Sequence, residues 1–182
     1  MKGIILTAVA VLAVSFGAYA QDEAAIATAV SAAPANLRDG ATVIKWNTSD
    51  FTYTTLRKGT NRLVCYDRSG FPEQQPFSIE CTSIANVDRV AQNLKAEALN
   101  DKAKTAAMLD QEEKDGTRVK PEFGSVWYHL MGPDKDHPRT HMTIAVPGAT
   151  AASMGLPDNP KSGTVWIMNA GTSTAHLMTP GE

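Results

Sequence analysis

HMTIAVP, residues 141–147, decides the fold. Met142, Ile144 and Val146 fall on one face of an extended chain, and His141, Thr143 and Ala145 fall on the other. Such alternation marks a strand whose two faces meet different surroundings. The same texture recurs around it. SVWYHLM (125–131), GTVWIMN (163–169) and AHLM (175–178) are rich in β-branched and aromatic residues, and loops rich in proline, glycine and aspartate separate them. Upstream, ATVIKW (41–46), FTYTTLR (51–57) and RLVCYD (62–67) read as three more strands, after a chain-reversing Asp39-Gly40. Lys58-Gly59-Thr60-Asn61 reads as a hairpin turn joining the last two.

Helices complete the frame. After Asp22, a candidate N-cap, EAAIATAVSAA forms an alanine-rich helix that stops at Pro34. The longest helix is predicted from about residue 86 to about residue 110. Val87, Val90, Ala91, Leu94 and Ala98 follow the spacing of one apolar face, while Arg89, Lys95 and Glu97 fall off it. EEKDGTRVK (112–120) then reads as a solvated loop, with Gly116 ending the helix and Pro121 beyond. The expected fold class is α+β: an antiparallel-rich sheet packed against one long amphipathic helix, with one disulfide.

The first 20 residues carry an address. Lys2 supplies a positive start, residues 4–16 an apolar run, and Ala18-Tyr19-Ala20 the small-x-small pattern cleaved by signal peptidases. The mature chain is expected to begin at Gln21. The apolar run is shorter than the roughly 20 residues of a membrane-spanning helix, and no cysteine at the cleavage point suggests a lipoprotein. Removing residues 1–20 leaves 162 of 182 residues, the size of one domain, 21–182. It also removes Lys2, leaving 16 basic against 19 acidic residues, a net charge of −3. That balance does not favour nucleic acid or an anionic membrane as a partner. A small ligand or an envelope protein fits better, in the periplasm or outside the cell.

Cys65 and Cys81 are the only cysteines. In an oxidising compartment they read as one disulfide, closing a segment with two prolines and a glycine. A redox-active pair would call for the closer C-x-x-C spacing.

Candidate site residues come from the histidines. Three of the four lie within two residues of a methionine: His129 with Met131, His141 with Met142, and His176 with Met178. Positions two apart share a strand face and adjacent positions do not, so Met142 belongs to the core. His141, His176 and Met178, with His129 and Met131, are the candidate metal ligands. Imidazole and thioether donors suit copper, above all Cu(I). Half-buried histidines bonded to backbone, and methionines filling core gaps, are the ordinary alternative. Asp134, Asp136 and His137 in DKDHPR form a second cluster that ordinary turn chemistry accounts for. There is no H-E-x-x-H, no cysteine-histidine zinc pattern, no phosphate-binding glycine loop and no G-x-S-x-G around Ser173.

The stretch from His141 to Pro180 resembles the C-terminal region of a family of uncharacterised exported bacterial proteins. Its pattern is H-x-M, then G-L-P, then G-T-x-x-A-H-[LI]-M-x-P. His141, Gly155-Leu156-Pro157, Gly171-Thr172 and Ala175-His176-Leu177-Met178 are the matching positions, and Leu56-Arg57-Lys58-Gly59-Thr60-Asn61 with Cys65 is similar to an upstream L-R-x-G-T-N-x-x-x-C pattern. In this chain Met142 follows His141 directly, a departure from H-x-M. The resemblance implies kinship and no activity. The functional expectation is an exported binding or envelope-associated module, with copper among its candidate ligands. A periplasmic enzyme using His141 and His176 as general acid and base is the alternative. A structural or interaction protein without a small-molecule site is the third reading.

Overall fold

The computed structural model describes residues 21–179; the leader expected at 1–20 and Pro180 of the resemblance lie outside them. Eight strands form one sheet: β1 (Thr42–Trp46), β2 (Tyr53–Arg57), β3 (Leu63–Asp67), β4 (Phe77–Ser83), β5 (Val126–Gly132), β6 (Arg139–Ala145), β7 (Trp166–Met168) and β8 (His176–Met178). Their spatial order is β2-β1-β3-β4-β5-β6-β8-β7. Every neighbouring pair is antiparallel except β1 with β3. With its helices the chain is α+β, as its alternating segments require.

One junction departs from the sequence reading. Lys58–Asn61 is a crossover rather than a hairpin turn, because β1 inserts between β2 and β3. The crossing is tight. A Cβ on Gly59 would lie 2.3 Å from both Gly40 O and Thr42 N, so only glycine lets the two backbones pass. Thr60 and Asn61 donate their N–H groups to Gly40 O, and the Asn61 amide donates to Leu37 O. Turn composition specifies that the chain bends there, but not which strand it will join.

Helical segments cover both sheet faces. Residues 21–29 form helix α1, continued by a 3-10 turn at Val30–Ala32. Asp22 lies inside α1 rather than capping it. Ile26, Ala29 and Val30 pack on Val43, Leu63, Cys65 and Cys81. On the opposite face α2 (Val87–Glu97) sets Val87, Val90 and Leu94 against Ile44, Val64 and Tyr66. The single long helix is in fact two. Asn100 adopts φ 49°, and Asp101 caps α3 (Lys102–Lys114) by accepting from the N–H groups of Ala103 and Lys104. Asparagine tolerates the left-handed conformation and aspartate competes for N–H groups, so the pair breaks an otherwise helical run. Ala98 is consequently exposed, whereas Arg89, placed off the apolar face by spacing, is 4% exposed.

Between β6 and β7 a short helix α4 (Ala151–Met154) is closed by a Thr150–Ser153 capping box and ends on left-handed Gly155. It covers a small cluster of Val146, Ala149, Ile167 and Ala175. No helix of the described residues is long and apolar enough to cross a membrane.

Cys65 and Cys81 face each other directly across β3 and β4 and form a disulfide, with Cα atoms 4.1 Å apart. Both are inaccessible to solvent beneath α1. Only residues 68–76 of the segment they bracket are loop, since its two ends belong to the paired strands.

Candidate functional site

Strand register builds a polar row across the α2 face of the sheet. Tyr66 on β3 stands opposite Glu80 on β4, Glu80 opposite His129 on β5, and His129 opposite His141 on β6. Opposed residues share a face, so four neighbouring strands contribute one line of polar side chains. Glu80 is its anchor. Tyr66 Oη and Trp127 Nε1 both donate to Glu80 Oε1, the latter at 3.0 Å. Arg68 Nη1 donates to Oε2 at 2.9 Å, and His129 Nδ1 stands 3.3 Å from the same oxygen. Arg68 is held from its other side by Glu97. Burial opposes the charge on Glu80, but Arg68, His129 and Tyr66 outweigh it and hold the carboxyl well below its ordinary range.

His129, His141 and His176 line one cavity of about 370 Å³ between this sheet face and the two long helices, together with Trp127, Arg89 and Arg118. The rings of His129 and His141 lie with centroids 5.7 Å apart and planes tilted by 32°. His176 is offset from them. It pairs with Ala145 on β6, four positions from His141, or about 13 Å of extended strand. Its Nδ1 lies 2.7 Å from Thr174 O. Burial first, then His129 and Arg89, press its pKa below the ordinary imidazole value, against the opposing pull of the Thr174 carbonyl. At neutral pH this ring is uncharged.

Two of the three imidazoles have Nδ1 facing an oxygen acceptor, Glu80 for His129 and Thr174 for His176. That arrangement favours the Nδ1–H tautomer and leaves Nε2 with its lone pair. Such a nitrogen can accept a proton, accept a hydrogen bond or ligate a metal.

The methionines are placed less centrally. Met131 lies beside a neighbouring cavity with Arg139 and Thr140, and His141 borders both. Met178 stands opposite Thr143 and Trp166 and does not line the histidine cavity. Met142 pairs with Tyr128 on the α1 face, as alternation requires. Among the described residues no group of three or more His, Cys, Asp or Glu side chains is positioned to hold one ion. In DKDHPR, Asp134 accepts from the backbone N–H groups of Asp136 and His137 and contacts His137 Nδ1, which makes an exposed turn.

Several residues of the site escaped the sequence reading. Glu80 was visible as a charge inside FSIECTS, a strand otherwise of small and apolar residues, and a carboxylate there needs partners. Arg89 gave a weaker signal. It sends its guanidinium to Val119 O, Ser173 Oγ and Thr174 Oγ1. The EEKDGTRVK segment is likewise no free loop. Its first three residues finish α3, Glu112 pairs with Arg118, and Glu113 accepts from both the N–H and the hydroxyl of Ser173. Ser173 is 5% exposed and serves this clamp.

No protein family, curated protein or solved structure matches the chain. Much of the C-terminal pattern has local structural work. Gly155 closes α4 in a left-handed conformation, Pro157 O accepts from Ile167 N–H, and Gly171 takes φ 83°. His141, Ala175 and His176 are the pattern residues that reach the cavity, and the two histidines are the polar ones among them.

Proposed function

We propose that the chain is an exported binding module whose small ligand occupies the cavity lined by His129, His141 and His176. The observation that carries this reading is the convergence of three histidines, distant in sequence, on one cavity, with a fully buried carboxylate network steadying the first of them. Such a network is elaborate for packing alone, and cavities with a few convergent polar groups are the usual ligand sites. Export to the periplasm or beyond is supported by the leader at 1–20 and by the Cys65–Cys81 disulfide. N-terminal sequencing of the secreted protein should read Gln21 first.

Copper is the second reading, and one pair of residues favours it. His129 and His141 stand face to face across neighbouring strands, and imidazole nitrogen is a good copper donor. The ion would rest on this pair; Met131 and Met178 flank the face, and His176, on β8, is in register with Ala145 rather than with this pair.

The test is a titration of residues 21–182 followed by the side-chain ¹⁵N resonances of the histidines. Cu(I), Cu(II) and Zn(II) form one arm, and a panel of small carboxylates, phosphates, amines and sugars forms the other. Binding that moves two or more of the three cavity histidines, and disappears in His129→Ala, is the expected result. If every probe leaves those resonances unmoved while moving only exposed His137, the cavity is not a ligand site.

A further inference from the structure

We infer that the ligand of this cavity is a small oxyanion, a carboxylate or a phosphate, anchored by Arg89. The inference rests on the cavity being a ligand site and adds the chemistry that it selects.

Three arginines border the cavity, and they differ in how their charge is met. Arg68 lies between Glu80 and Glu97, and Arg118 pairs with Glu112. Arg89 has no salt bridge to a described carboxylate. Its partners are the Val119 carbonyl and the hydroxyls of Ser173 and Thr174. Glu113 makes no direct pair with it and is joined to it through the Ser173 hydroxyl. The residue is 4% exposed, so water does little to spread its charge, and a buried charge hydrogen-bonded only to neutral oxygens, with Glu113 and Glu112 acting on it without direct contact, is costly to keep.

The surroundings make the imbalance worse. Burial first, then the neighbouring Arg118, pull Arg89 down to about 10 against the opposing pull of Glu113 and Glu112, and it remains a cation at neutral pH. Arg89 and His129 in turn disfavour a charge on His176. Two guanidinium groups, Arg89 and Arg118, therefore press on one another beside a water-accessible space, and an anion placed against Arg89 would relieve it.

Donors for that anion are at hand. The planar guanidinium matches two oxygens of a carboxylate or phosphate. Asn93 Oδ1 accepts from Arg118, which leaves the Asn93 amide N–H groups as donors on the cavity wall. Trp127 offers an aromatic surface for the rest of a small molecule. A bare cation would meet repulsion at the Arg89 end, so the two ends of the cavity suit different chemistry.

Inorganic phosphate and succinate, titrated separately into residues 21–182, distinguish the two sources of oxyanion. Binding is read by calorimetry and by the Arg89 Nε–Hε resonance. At least one anion should bind and shift that resonance. Arg89→Gln should weaken binding by about thirty-fold or more, and Arg89→Lys, which keeps the charge without the fork, by less. Arg62→Gln, at an exposed arginine paired with Glu122, should leave it unchanged. Because Arg89 also ties α2 to the β7–β8 loop, the wild-type titration stands alone if Arg89→Gln does not fold. The inference is overturned if neither anion shifts the Arg89 resonance at about 10 mM, a concentration that reveals even millimolar affinity. It is also overturned if Arg62→Gln weakens binding as much as Arg89→Gln. Copper or an uncharged probe moving the histidines in the same protein would then show that the cavity binds a ligand of another class.

Discussion

Glu80 shows how one residue can set the state of a whole face. It accepts from Tyr66, Trp127 and Arg68 and stands beside His129, so removing its charge leaves Arg68 with Glu97 alone. Breaking a buried ion pair from one side typically costs about 3 to 5 kcal/mol. Glu80→Gln should therefore lower stability by about 3 kcal/mol in urea unfolding. The pH dependence has a definite sign. The native carboxyl titrates far below its ordinary value of 4.5, so below that value the unfolded chain binds the proton first. The stability Glu80 contributes is complete above about pH 4.5 and declines as the pH falls further. Wild-type protein should lose stability on acidification from pH 5 to pH 3, and Glu80→Gln should lose less over that interval. A parallel loss in both would assign acid sensitivity to other groups. In the sequence the histidines announced themselves by kind, whereas Glu80 and Arg89 were hidden by a rule of thumb. Charged residues usually face water, and only the assembled register and helix docking reveal the exceptions.

Elements were legible where side-chain period alone decides them. Alternation in 125–131 and 141–147 located β5 and β6 within two residues, because a strand with unlike faces writes its period into its own sequence. Breaks and connections were less legible. Val87 to Leu94 continues smoothly into alanines and lysines, and nothing in the apolar period warns that Asn100-Asp101 will turn the axis. Lys58–Asn61 has hairpin composition but serves a crossover, since pairing partners are chosen by distant parts of the chain. Gly59 is the sharp test of that connection. Gly59→Ala would drive a methyl into the backbone of Gly40–Thr42, which cannot yield as a flexible side chain would. A loss of about 2 kcal/mol or more is expected in thermal or urea unfolding. A neutral outcome would mean that the crossover does not run this close.

At the scale of the molecule, the sheet divides two chemistries. One face carries the disulfide and apolar residues beneath α1, and the other carries the polar row and cavity beneath α2 and α3. Sequence alternation implied that two such faces exist; the packing of separate helices decided which face became the site. Removing the disulfide by Cys65→Ala with Cys81→Ala should cost about 3 kcal/mol, as expected for a bridge across 16 positions. The cavity lies on the opposite face, so the double variant, studied below its melting temperature, should keep the wild-type affinity for the anion proposed to bind there. A large loss of affinity would show that the two faces are mechanically joined.

The burial of the sulfur atoms also imposes an order of events. With α1 seated, neither an oxidant nor a partner thiol can touch Cys65 or Cys81. The bond must then be made while α1 is still away from the sheet, and the seated helix afterwards guards it. A nascent chain whose first helix closed too early would trap two thiols in the dark, so maturation favours chains in which the amino-terminal segment settles last.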